Sequence, residues 1–281
     1  MLNGKFVFQV GPLDQGFWPD GIYTAPTDEA LRWDIETMKK LGFNCVRKHI
    51  KVEPSRWYYW CDKLGLMVWQ DMPSANSYLD GKDREKPVAV DKPQYKTELI
   101  NMVRSNWNHP SIIMWVVFNE EQGQHDTDSL AAEVKGLDPT RLLNPASGTT
   151  VWGKVHDTKS GDVMDVHIYP GPSSPTPTAE RVAVLGEFGG LGFPVEGHKW
   201  SKNVWGYKNS ADPKTWISEY EKLLAKTWEL KDQPGLSGAI YTQLTDVESE
   251  GNGLVTYDRE VIKMDIDRVK AANTGKPPVQ P

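Results

Sequence analysis

Eight short apolar runs, spaced by amphipathic stretches, punctuate this chain: 6–10, 43–50, 66–70, 111–118, 142–146, 163–169, 182–185 and 238–244. The fourth decides the class. From 112 to 118 it is apolar at every position, whereas a strand with one wet face alternates apolar and polar residues. A strand apolar on both sides belongs in a parallel sheet, and parallel neighbours need crossovers, which the amphipathic stretches supply. Eight such units in 281 residues fit one α/β domain, a single (β/α)8 barrel, which takes roughly 250 residues. Two separate sheets fit the count less well.

The stretches between the runs read as helices from their ends as well as their periodicity. Thr27 precedes Asp28 and Glu29, and Leu31, Ile35, Met38 and Leu41 recur at helical spacing up to Gly42. A cap, an acidic first turn and a glycine stop therefore coincide. Pro54 opens a second helix with Trp57, Trp60, Cys61 and Leu64 on one face before Gly65. Tyr95, Leu99, Met102 and Val103 mark a third, and Leu130, Ala131, Val134 and Leu137, stopped by Asp138-Pro139, a fourth. Asp212-Pro213 opens a long helix carrying Trp216, Ile217, Tyr220, Leu223, Leu224, Thr227 and Trp228, and a last one covers 263–272. Helices are weak or missing after the fifth and sixth runs. No good helical face appears in 148–162, and 170–181 holds Gly171-Pro172 and Pro175-Thr176-Pro177, too many breakers for more than a turn. The polar loop 71–92 is of a length usually tied to function. The barrel is expected over 1–273, with a disordered tail over 274–281.

Charge narrows the partners. With 32 basic against 38 acidic residues the net is −6, which argues against nucleic acid, because that affinity comes from a basic face. No run nears the roughly 18 apolar residues of a membrane span. The start, Met1-Leu2-Asn3-Gly4-Lys5, lacks the basic segment and apolar core of a signal peptide. The compartment is left open, periplasmic or extracellular for a longer parent included. Cys45 and Cys61 are too few for a disulfide framework and read as buried thiols. The six histidines are scattered, with no pair at ligand spacing, so neither a metal nor a cofactor is expected.

A parallel barrel gathers its chemistry where the strands end and the following loops converge. At those places stand Arg47 and His49, Asp71, Asn119 and Glu120, His167 and Tyr169, Glu187, and Gln243. Two glutamates stand out: Glu120 ends the run 112–118, and Glu187 follows 182–186. An ionised carboxylate directly after a buried strand loses hydration and needs compensation. A structural ion pair accounts for one such residue. Two at one mouth, ringed by Arg47, His167, Tyr169 and Asn119, match the paired carboxylates that glycosidic bond cleavage requires. Trp57, Trp60, Trp216 and Trp228, at helical spacing, belong to the core, whereas Trp18 and Trp205, in loops, are candidates for stacking on a sugar ring. Glu248 and Glu250, after the eighth run, read equally as sugar-facing or solvated.

In their order, several pieces resemble the catalytic barrel of glycoside hydrolase family 2, the group of β-galactosidases, β-glucuronidases and β-mannosidases. They are Leu2-Asn3-Gly4-Lys5, Asp34-Ile35, Gly42-Phe43-Asn44-Cys45-Val46-Arg47, the segment 57–66, and Leu185-Gly186-Glu187-Phe188-Gly189. The most specific is Asn108-His109-Pro110-Ser111-Ile112-Ile113-Met114-Trp115-Val116-Val117-Phe118-Asn119-Glu120. The resemblance implies a TIM barrel and a retaining, exo-acting, β-galactosidase-like glycoside hydrolase acting on a carbohydrate substrate. It implies Glu120 as general acid/base, Glu187 as nucleophile, Asn119 on the sugar 2-hydroxyl, and Arg47 and Tyr169 beside the nucleophile. His49, Asp71, His167, Trp205 and Gln243 complete the expected substrate-binding set. The charge on Glu187 is expected to keep Glu120 protonated, and Arg47 to keep Glu187 ionised. Family members carry β-sandwich domains ahead of the barrel, so such domains are expected to be missing from this chain. Lys48-His49-Ile50-Lys51 departs from the cysteine-serine-histidine-tyrosine wording of the β-galactosidases, which leaves β-mannosidase or β-glucuronidase preference open. The rival reading is a non-catalytic carbohydrate-binding or scaffold barrel, which would need neither carboxylate.

Overall fold

In the computed structural model, which describes residues 1–74, 90–148 and 157–276, eight parallel strands curl into a nearly closed barrel. They are β1 (Gln9–Asp14), β2 (Cys45–Lys48), β3 (Met67–Asp71), β4 (Ile112–Val116), β5 (Leu142–Asn144), β6 (Val163–Ile168), β7 (Val182–Gly189) and, after the two-residue β8 (Leu191–Gly192) and β9 (Lys208–Asn209), β10 (Leu236–Thr242). Hydrogen bonds run through the order β5-β4-β3-β2-β1-β10-β7-β6. The two ends meet where the Asp162 N–H, just before β6, donates to the Leu143 carbonyl of β5 at 2.9 Å.

The helices are α1 (Asp28–Lys40), α2 (Ser55–Leu64), α3 (Lys92–Asn106), α4 (Thr127–Leu137), α5 (Pro213–Asp232) and α6 (Ile266–Asn273). Their ends follow the local chemistry. The Thr27 hydroxyl accepts from the Ala30 N–H, Gly65 closes α2 in the left-handed region, and the Asp212 side chain takes the N–H groups of Lys214 and Thr215. Segment 170–181 holds no helix, as its breakers demand. The expectations for much of the loop 71–92 and of 148–162 fall on 75–89 and 149–156, outside the described residues. Of the expected tail, Thr274 still caps α6 through its N–H, and 277–281 lie outside the described residues.

Each strand divides the core in two. In β4, Met114 and Val116 point into the barrel, where they meet Leu13, Cys45, Trp69, Val163, Val184 and Ile240. Ile112 and Trp115 point outward into the larger layer that α1, α2, α3 and α5 cover, with Ile35, Trp57, Leu99 and Trp216. Burial on both faces is what the unbroken apolar run required.

Several boundaries differ from the sequence reading, and three of them have a clear packing or capping reason. β1 was expected over 6–10, ending at Gly11-Pro12, but it runs on to Asp14. A Cβ on Gly11 would lie 2.4 Å from the Cys45 carbonyl oxygen, so this glycine permits close approach of β1 to β2 instead of turning the chain. β7 was expected to stop at Leu185 and continues to Gly189. Gly186 leaves room for the Asp165 carboxylate, which accepts the Gly186 N–H at 2.7 Å. α6 begins at Ile266 rather than 263 because the Asp265 side chain caps it, accepting from the Arg268 N–H at 2.9 Å.

Candidate active site

The longer β7 places Glu187 inside a strand, opposite His167 of β6. It is only 5 % exposed. Its compensation begins with Arg47 of β2, which is wholly buried. The guanidinium is forked onto Asp71, with Nε to Oδ1 at 3.1 Å and Nη2 to Oδ2 at 2.9 Å. Nη2 also donates to Asn119 Oδ1 at 2.8 Å, and Nη1 to Glu187 Oε1 and the Gly186 carbonyl, each at 3.2 Å. One arginine thus ties together the ends of β2, β3, β4 and β7. Burial works against its charge, but Asp71, Glu187 and Asp165 outweigh that and hold the proton more firmly than usual.

The second oxygen of Glu187 accepts from the Tyr169 hydroxyl at 2.5 Å, and His49 Nε2 stands 3.5 Å from the first. Among the described residues that buried Nε2 has no hydrogen-bond partner. Burial, then the charges of Arg47 and His167, hold the His49 pKa well below its ordinary value, so the ring is neutral. Burial is also the largest influence on Glu187 and pushes its pKa up to about 7; His167, Arg47 and Tyr169 oppose the rise and Glu120 adds to it. Arg47 was expected to favour ionised Glu187 and acts in that direction, but burial outweighs it. Asp71 shares the same cation and takes the larger part of it.

Glu120 follows β4 where the chain turns outward. Its φ of 47° is in the left-handed region, a conformation that costs a non-glycine residue about 1 kcal/mol or more and clusters at functional sites. The Glu120 N–H is anchored to the Ser147 carbonyl at 3.0 Å. Its Oε1 lies 2.8 Å from His167 Nδ1. His167 is held in turn by the Ser147 hydroxyl, 2.7 Å from Nε2, and that hydroxyl donates to Asp165 at 2.6 Å. Burial depresses the His167 pKa, but Glu187, the Glu120 hydrogen bond and Asp165 together raise it. Oxygen atoms of Glu120 and Glu187 and a ring nitrogen of His167 all lie within 4.8 Å of one another.

A cavity of about 670 Å³ opens onto this pair. Of the residues singled out from the sequence, Glu120, Glu187, His49, Asn119, Tyr169 and Trp205 line it. Arg47, Asp71, His167 and Gln243 do not reach its surface. Asp71 spends both oxygens on Arg47, and Gln243 accepts from Gln15 Nε2 at 2.9 Å while donating to Asn252 at 2.8 Å. These two support the wall and do not line the cavity. Trp18 is buried, with the Arg259 guanidinium 3.9 Å above its ring, so it offers no sugar platform here. Gln15, which follows the first strand at its end, lines the cavity too; residues the sequence reading passed over are Tyr207, Phe17 and Tyr23. Tyr207 stacks on Tyr169 with centroids 3.6 Å apart; its place in the same loop as Trp205, two residues on, is the signal that could have found it.

By distance, Glu120, His167 and Glu187 could hold a cation. Arg47 Nη1 already lies 3.2 Å from both Glu187 Oε1 and His167 Nε2, and a metal would have to share those groups with a buried guanidinium. The trio suits proton sharing better.

Comparison with known proteins agrees with the fold. Residues 24–270 match the family described as Glycosyl hydrolases family 2, TIM barrel domain. A β-galactosidase of Halalkalibacterium halodurans is 26% identical over 259 residues, covering 83% of this chain and 24% of that protein. A β-galactosidase of Enterobacter cloacae is 40% identical over 126 residues, covering 43% of this chain and 12% of its own length. Among solved structures, a GH2 β-galacturonidase from Eisenbergiella tayi bound to galacturonate superposes with a TM-score of 0.73 at 18% identity, covering 99% of this chain and 53% of that one. The chain thus spans at most about a quarter of the curated relatives it matches. A family match running through nearly all of the barrel, over a site built from strand-end carboxylates, leaves one conclusion: the chain belongs to glycoside hydrolase family 2, as its TIM-barrel domain.

Proposed function

We propose that this barrel hydrolyses β-glycosides with retention, by double displacement on two glutamates. The observation that carries the reading is that a carboxyl oxygen of Glu120 lies within 4.8 Å of a carboxyl oxygen of Glu187. Retaining enzymes hold their carboxyl groups about 5–5.5 Å apart, whereas inverting ones leave about 6.5–9.5 Å for a water.

In the first step a Glu187 oxygen attacks the anomeric carbon. The bond to the aglycone oxygen breaks with its electron pair, and that oxygen takes the proton of Glu120. In the second step Glu120 removes a proton from water, the water oxygen attacks the same carbon, and Glu187 leaves as a free carboxylate. The protein's electrostatics suit this exchange. Burial and mutual repulsion make a single negative charge on the pair cheaper than two. Once Glu187 is esterified its charge is gone, and the proton on Glu120 is held less tightly. Tyr169 and Arg47, one on each oxygen of Glu187, stabilise the carboxylate as it leaves. His167 fixes Glu120 in line, and Asn119, oriented by Arg47, is placed for the sugar 2-hydroxyl.

The named relatives are β-galactosidases and the named structure is a β-galacturonidase, so both a neutral hexose and a uronic acid are candidate substrates; the proposed preference is β-galactosidase-like. A panel of aryl β-glycosides, followed by 2-fluoro sugar trapping and peptide mass mapping, tests the roles. One labelled peptide containing Glu187 is expected. A label elsewhere, or an inverted product anomer, overturns the assignment.

A further inference from the structure

Glu250 stands on the loop after β10 and lines the same cavity as Glu120 and Glu187, yet neither step of the reaction uses it. Its backbone is clamped: the Glu250 N–H donates to the Val247 carbonyl at 2.8 Å, and the neighbouring Gly251 N–H to the Trp205 carbonyl at 2.8 Å. Its carboxylate is held by neutral donors. Oε1 accepts from Asn252 Nδ2 at 3.0 Å and Oε2 from Gln15 Nε2 at 3.2 Å. Both amides are themselves fixed by Gln243, at 2.8 and 2.9 Å. A carboxylate has about four acceptor positions, so this arrangement fixes the orientation of Glu250 and leaves acceptor capacity for something in the cavity.

The lining around it sets what that something is. Among the described residues the cavity surface carries three glutamates, Glu120, Glu187 and Glu250, and no lysine or arginine. Burial, and then Glu120, make the Glu250 charge costlier, while the Asn252 and Gln15 amides favour it. A ligand with its own carboxylate would add a further negative charge, with no cation among the described lining residues to receive it. Sugar hydroxyls donate protons and remove none of the existing bonds.

We propose that Glu250 is a specificity-determining residue that accepts hydrogen bonds from the hydroxyls of a neutral sugar and excludes uronic acids. The proposal deepens the hydrolase reading and rests on it for the site's occupant. A buried acceptor matched to substrate hydroxyls typically discriminates by about 100-fold or more, because the wrong ligand leaves it unpaired.

The test compares matched pairs that differ only at C6: 4-nitrophenyl β-galactoside against β-galacturonide, and β-glucoside against β-glucuronide. The wild-type chain is expected to favour the neutral member of any pair it accepts, by about 100-fold or more in kcat/KM. In Glu250→Gln the preference should fall at least tenfold, through loss on the neutral member. A wild type that takes the uronide equally well overturns the proposal, with no variant needed, and so does an unchanged preference in a folded Glu250→Gln. Should no pair be turned over and no 2-fluoro sugar label Glu187, the hydrolase reading fails separately. Saturation-transfer NMR with galactose and galacturonate then decides on Glu250: galactose signals weakened by Glu250→Gln support it, and equal signals for both sugars in wild type refute it.

Discussion

Glu187→Gln should make this protein more stable, and increasingly so as the pH rises. The carboxyl is buried and its pKa is raised from 4.5 to about 7. A group that binds its proton more tightly folded than unfolded favours the fold at low pH. That advantage is lost as pH climbs from the unfolded value through the folded one. The full cost of ionising Glu187 in place is about 3 kcal/mol, at about 1.4 kcal/mol for each tenfold change in proton affinity. Most of it develops between pH 5 and pH 8. Glutamine keeps the shape and has no proton to lose. Whatever the substitution does to the bonds with Arg47 and Tyr169 is nearly the same at both pH values, so the difference between pH values isolates the charge. His167 works in the same direction, because Glu187 helps to raise its pKa and the variant relaxes that rise too. Urea midpoints of wild type and variant at pH 5 and pH 8 give the answer. The variant's advantage should grow by about 1 M across that interval, for a slope of about 3 kcal/mol/M. An advantage that stays constant or shrinks would refute the account of Glu187 as a destabilised charge, and with it the idea that the site gives up stability for reactivity.

The remaining predictions concern catalysis. On an activated aryl glycoside, kcat/KM should fall about tenfold per pH unit below about 7, as Glu187 takes up its proton; a limb at pH 4–5 would contradict the effect of burial. Glu120→Ala should cost alkyl glycosides about 100- to 10,000-fold in kcat/KM and 2,4-dinitrophenyl glycosides far less, since a good leaving group needs little protonation. Equal losses on both would remove Glu120 as the acid. Trp205→Ala should raise KM about three- to tenfold with kcat nearly unchanged, the signature of a stacking platform that binds ground and transition states alike; a matching loss in kcat would place Trp205 closer to the chemistry.

What could be read in the sequence was whatever a single stretch of chain decides for itself. Thr27, Gly65 and Asp212 cap their helices through bonds made within a few residues, and the run at β4 shows in its own unbroken apolar letters that both its faces are buried. Glu120 and Glu187 were visible because each interrupts or ends an apolar run. The misreadings share a different cause. Gly11 and Gly186 look like stops, yet each exists for something on another strand, the Cys45 carbonyl in one case and the Asp165 carboxylate in the other. A glycine chosen for close approach and a glycine chosen for a turn are the same letter. The site divides along the same line. Asp71 and Gln243 stand at strand ends just as His49 and Asn119 do, but one is drawn under by the Arg47 fork and the other by the Gln15–Asn252 amides. Which strand-end residue faces the substrate is decided by which of its neighbours needs it first, and those neighbours are 24, 228 and 9 positions away. Glu250 follows the same rule in reverse. Its two nearest polar needs are met by uncharged amides, which orient the carboxylate without neutralising it, and that is why a loop glutamate whose sequence left it open between sugar-facing and solvated lines the cavity.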